Sequence, residues 1–238
     1  IVAELSTGDD GITADTSLII NNGTINITKS YEGLEAQYIE INDGKIDIVS
    51  SDDGINVYGG SDNMFMGMGE NQNVDVDTNR LLVINGGKVY VNSKGDGLDS
   101  NGSIKVTGGE IIVAGPSDSG NGALDYNYNF ELTGGSLVYY GASGMWQDAT
   151  SSLSSVYTVS FAVSSGSSGD ELVLKDESGN EIASVTTEKT YQRVSFASSN
   201  IEKGKTYTLY VNGVESASLE VNDLISTNSR GGNNQGGN

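Results

Sequence analysis

The 238-residue chain has no cysteine, no histidine and a single proline. Thiol nucleophiles, disulfide frameworks, Cys/His zinc sites and imidazole acid–base chemistry are therefore excluded. Any chemistry falls to carboxylates, lysines, tyrosines, hydroxyls or a hard cation. Positive charge is scarce as well: 12 Lys and Arg face 32 Asp and Glu, a formal charge of -20. Such a field repels nucleic acid and anionic lipid, which makes both poor partners. Long apolar runs are missing. Leu81-Leu82-Val83-Ile84 is far below the ~20 residues that span a bilayer, and Ile1-Val2-Ala3-Glu4 lacks a basic signal-peptide start. The acidic, Gly-, Asn- and Ser-rich composition suits a soluble, extracellular or cell-surface bacterial β-protein.

What is abundant is glycine, with 33 residues, and it recurs in phase. A unit of 21 to 23 residues repeats an acid-Gly-aliphatic corner, a short strand, a Gly-containing turn and a second strand. The corners are Asp10-Gly11-Ile12, Glu32-Gly33-Leu34, Asp53-Gly54-Ile55, Asp96-Gly97-Leu98 and Gly122-Ala123-Leu124. Their central residues lie 22, 21, 43 and 26 apart, and the long interval holds a polar, Met-containing excursion at 58–80. Such a unit is too short for a propeller blade and lacks a leucine-rich signature. A coil in which each turn stacks on the last fits, with Ile25, Ile46, Val89, Ile111 and Leu137 as an inward ladder. The expected fold is all-β: a right-handed parallel β-helix over residues 1–150, the hand following the crossover rule. An antiparallel sandwich is the competing architecture, but sandwiches do not repeat the same corner in phase.

After Thr150 no acid-Gly-aliphatic corner recurs. Alternating strands are expected at 156–163, 171–175, 181–187, 192–197, 206–211 and 216–221, with Val211-Asn212-Gly213-Val214 as a hairpin turn. Residues 151–225 read as a C-terminal antiparallel β module that caps the open coil end, or as an independent sandwich. Residues 226–238 read as a flexible tail.

Register places Asp10, Glu32, Asp53 and Asp96 in one column, with Thr13, Glu35, Asn56, Asp99 and Asp125 in a neighbouring one. At about 4.8 Å per turn, adjacent carboxylates repel by roughly 3–4 kcal/mol at an effective dielectric of 20. Splaying into water, protonation or a shared cation would relieve this. Asp, Asn, Glu and carbonyl oxygens are hard donors, and Ca2+ takes six to eight of them. The expected ligand set is Asp10, Glu32, Asp52, Asp53, Asn56, Asp96, Asp99 and Asp125, with Ca2+ bridging turns.

These in-phase corners, the Gly-Gly strand turns, and the segment Ser-Gly-Asn-Glu-Ile-Ala-Ser-Val followed by Gly-Lys-Thr-Tyr-Thr-Leu-Tyr-Val-Asn-Gly resemble the clostridial carbohydrate-binding domain family, which is related in fold to polysaccharide lyases. The resemblance spans residues 8–221. It implies a calcium-containing right-handed β-helix that binds plant cell-wall polysaccharide, cellulose and polygalacturonate. The related lyases use an Asp-Asp-x-x-Asp corner and a lysine base; here Asp52-Asp53-Gly54-Ile55-Asn56 ends in Asn.

Lyase chemistry needs a base of lowered pKa beside the ion, and Lys94 is the candidate by spacing. As an exposed lysine paired with Asp96 and Asp99 it would have a raised pKa and serve poorly. Neutral glycan binding needs exposed rings, for which Tyr58, Tyr126, Tyr128, Tyr140 and Trp146 are the candidates, with core packing as each one's alternative role. The net charge opposes an acidic polysaccharide unless calcium bridges the two. A non-catalytic, calcium-binding carbohydrate-binding protein is the leading expectation, followed by a calcium-dependent pectate lyase and by a structural or adhesive surface repeat.

Overall fold

The computed structural model describes residues 1–59 and 79–228, all of whose regular structure is strand. Most of the excursion at 58–80 and of the tail at 226–238 lies outside the described residues. No helix among the described residues is long and apolar enough to cross a membrane.

Three parallel sheets wind into a β-helix. Sheet B stacks Ile12–Thr13, Leu34–Ala36, Ile55–Val57, Leu98–Ser100 and Leu124–Tyr126. Sheet C stacks Ser17–Ile20, Tyr38–Ile41, Leu81–Ile84, Ser103–Val106 and Phe130–Leu132. The coil's share of sheet A runs Val2–Ser6, Thr24–Ser30, Lys45–Ser50, Lys88–Ser93, Glu110–Ala114 and Ser136–Gly141. Ile55–Val57 and Leu81–Ile84 occupy sheets B and C at the same level, so the excursion belongs to one turn.

The inward ladder is as expected: Ile25, Ile46, Val89, Ile111 and Leu137 pair in sequence and are all buried. Side chains alternate across a strand, so the residues between them face outward. That outer column reads Glu4, Asn26, Asp47, Tyr90, Ile112 and Val138. Its change from polar to apolar marks where the C-terminal module sits.

The module is built in two layers, one of which is the coil's own sheet. Tyr191–Ser198 pairs antiparallel with Ser136–Gly141, Thr158–Gly166 pairs with Tyr191–Ser198, and Ile225–Thr227 closes the edge in parallel. Sheet D, formed by Glu181–Thr186, Glu171–Asp176, Thr206–Val211 and Val214–Glu220, is antiparallel and lies over it. A second core of Val138, Tyr140, Phe161, Phe196, Leu174 and Leu209 fills the space between. The module thus covers the last edge of the coil and part of its outer face. The Asn212-Gly213 turn has φ values of 51° and 76°, and pairs Val211 with Val214 as a two-residue hairpin. Strand structure continues to Thr227, into the segment expected to be tail.

Candidate functional site

The corners are stacked by the backbone. The amides of Gly11, Gly33, Gly54 and Gly97 donate to the carbonyls of Glu32, Asp53, Asp96 and Gly122 at 2.8–3.0 Å. These contacts place Asp10, Glu32, Asp53 and Asp96 in one file. Three positions on, sheet B pairs Thr13 with Glu35, Glu35 with Asn56, Asn56 with Asp99, and Asp99 with Asp125. Glycine is required at the corner by proximity: a Cβ on Gly33 would lie 2.2 Å from the Gly54 carbonyl oxygen. Asp52 falls outside both files, in a third with Asp9, Tyr31 and Gly95.

Several of these carboxylates have structural work. Asp10 Oδ1 accepts the Glu32 amide at 3.3 Å, Asp53 Oδ1 the Asp96 amide at 2.7 Å, and Asp96 Oδ1 the Gly122 amide at 2.5 Å. Glu32, one carbon longer, instead accepts from Asn56 Nδ2 at 2.8 Å. Thr13 donates to Glu35 at one end of the second file, and Gln147 donates to Asp125 at the other.

Across the two files the acids are buried and crowded. Burial, then repulsion from Asp53, Asp96 and Asp125, pushes Asp99 up to about 8. Burial raises Glu32 to about 7, partly offset by Asn56, and raises Asp53 and Asp96 to about 6 despite the amides they accept. Carboxylate oxygens of Asp10, Glu32 and Glu35 lie within 4.8 Å of one another. Beside them Asn56 is 8% exposed, and its Oδ1 is buried without a hydrogen-bond partner among the described residues. An unsatisfied buried carbonyl oxygen costs about 1–3 kcal/mol and is rare in native structures. Hard oxygen donors, crowded charge and an idle carbonyl together fit a hard divalent cation.

The aromatic residues expected to meet sugar are mostly occupied elsewhere. Tyr140 is fully buried in the second core, because the module covers the outer face to which it points. Trp146 stacks on Tyr139 at 5.0 Å, lies under Arg193 at 5.5 Å and donates to Asp148 at 3.1 Å. Tyr126 packs on the coil core and donates to the Asp148 carbonyl at 2.7 Å. These three finish the coil interior and its seam. Tyr58 is half-buried, its hydroxyl donating to the Asp15 carbonyl, and Tyr128 is half-buried in the turn after sheet B.

Lys94 is exposed at its corner. The amine held below its ordinary value is that of Lys189, which burial depresses to about 8 and which donates to the Ser93 carbonyl beneath the module. Sequence reasoning passed over Lys189, because only the folded module brings it to the corner. It also passed over Tyr31 at the corner itself, and it left Glu35 out of the ligand set although its file position was plain.

Residues 2–54 match the model of a family described as carbohydrate-binding domain-containing protein. The resemblance read from the sequence and this match point to the same kind of family. The matched segment holds the Asp10–Glu32–Glu35 cluster and ends at the corner glycine Gly54. No curated protein and no solved structure matches the chain.

Proposed function

We propose that this chain is a non-catalytic carbohydrate-binding protein whose acidic corner files hold Ca2+ and present it to cell-wall polysaccharide. The observation that supports the metal half is the buried Asn56 Oδ1, without a hydrogen-bond partner among the described residues, beside acids whose pKa values burial has raised. The carbohydrate half is supported by the family match. Asp10, Glu32 and Glu35 form the clustered carboxylates, Asn56 adjoins them through its hydrogen bond to Glu32 and its pairing with Glu35, and Asp53, Asp96, Asp99 and Asp125 continue the files. When bound, Ca2+ supplies positive charge and open coordination positions for sugar oxygens.

The chain's own residues fix the donors. Amides of the next turn orient Asp10, Asp53 and Asp96, and Asn56 Nδ2 holds Glu32. With a formal charge of -20 the protein repels polygalacturonate unless cations intervene, whereas cellulose carries no charge to repel. Pull-down on insoluble cellulose and titration with oligogalacturonate, each in calcium and in chelator, test the reading. Polygalacturonate binding should vanish in chelator. Absence of binding to both polysaccharides in calcium would overturn the carbohydrate half, and a calorimetric titration showing no uptake of Ca2+ would overturn the metal half.

A further inference from the structure

Carbohydrate recognition favours an exposed aromatic ring, because the axial C–H face of a pyranose packs on the negative face of the ring while its hydroxyls reach polar neighbours. Among the described residues, Tyr31 is the only exposed aromatic side chain, at 50%. Single exposed apolar residues are ordinary on any surface. Tyr31 is set apart by its position.

It immediately precedes Glu32, and its backbone is pinned on both sides within the stacked corners. Its amide donates to the Asp9 carbonyl at 2.9 Å, and its carbonyl accepts the Ser51 and Asp52 amides at 3.1 and 2.9 Å. The Asp52 carboxylate, and then Glu32 and Asp53, hold its phenol above the ordinary value. The ring therefore stands in the file Asp9–Tyr31–Asp52, beside the file that contains Asp10 and Glu32. A sugar on its face would have carboxylates within the same strip of surface and the Asp10–Glu32–Glu35 cluster adjoining.

We propose that Tyr31 is the stacking platform for a pyranose unit, so that the acid-corner face of the coil is the face that binds polysaccharide. This rests on the carbohydrate-binding reading above and adds the place. A competing location is a cavity of about 550 Å3 at the seam between the last turn and the module, lined in part by Thr133, Ser155, Tyr157, Ser199 and Glu202.

The test compares the unchanged chain with Tyr31→Ala, Tyr31→Trp and Ser199→Trp, the last filling the seam cavity. Binding to insoluble cellulose and to oligogalacturonate is measured in calcium, and calcium-induced melting shifts are recorded alongside. Tyr31→Ala should weaken binding about tenfold, the scale of one lost aromatic contact, while Tyr31→Trp retains it. Ser199→Trp should bind as the unchanged chain does, and all the variants should keep its calcium response. Retained affinity in Tyr31→Ala, or loss confined to Ser199→Trp, would refute the placement and leave carbohydrate binding standing. An unchanged chain that binds neither polysaccharide would remove both.

Discussion

Asp99 lies between Asn56 and Asp125 in its file with its carboxyl raised to about 8, and Glu32, Asp53 and Asp96 are raised to between about 6 and 7. An acid whose folded value exceeds its unfolded value of about 4 holds its proton more tightly when folded. Its contribution is complete below pH 4 and is lost as the pH climbs through the folded values. Asp170 and Asp176 are lowered by the amides and side chains they accept, so their contribution is lost on further acidification. The chelated protein should therefore melt highest near pH 4 and progressively lower toward pH 8. Each 2 kcal/mol lost corresponds to roughly 4–8 °C in a chain of this size. Saturating calcium should flatten that slope. Asp99→Asn should raise the midpoint at pH 8 in chelator and shrink the gain from calcium; thermal scans across pH, with and without the ion, check both.

Among the elements, the corners carry the tightest packing. A Cβ on Gly54 would meet Val91 Cγ1 at 2.1 Å and the Gly97 carbonyl oxygen at 2.6 Å, so Gly54→Ala should cost about 1–3 kcal/mol, measured as a lowered urea midpoint. The corners were readable because the same three residue types recur in phase, and the inward ladders because alternation in a strand leaves one choice of face. The Asn212-Gly213 hairpin was readable from two residues. Pairing partners were not. Nothing in the alternation of Tyr191–Ser198 says that it joins Ser136–Gly141 rather than another strand of the module. The same gap misplaced Tyr140: it points out of the coil, but only the non-local seating of the module decides that outward means covered. The file positions of Glu32 and Glu35 followed from register, whereas the idle Asn56 carbonyl depends on which rotamer reaches Glu32.

At the scale of the molecule, one continuous sheet joins coil and module, so the two should unfold together. Trp146, the single tryptophan, lies at the seam, stacked on Tyr139 of the coil and covered by Arg193 of the module. Its fluorescence and the far-ultraviolet circular dichroism should report one coincident urea transition. Phe196→Ala, which removes a fully buried ring from the second core, should lower the unfolding free energy by about 3–5 kcal/mol and shift that midpoint down without splitting it. Two resolved transitions would show that the shared strands do not couple the parts.

The amides that Asp53 and Asp96 accept come from the turn that follows, never from the one before. The coil therefore has a grammar with a direction, in which each unit completes its predecessor and awaits its successor. Splicing in a duplicate unit of about 22 residues ahead of Asp96 would supply both halves of that handshake and lengthen the acidic strip by one notch. If the corners hold Ca2+ as proposed, cation capacity would then behave as a counted property, rising in steps with the number of units, and the chain would serve as its own ruler.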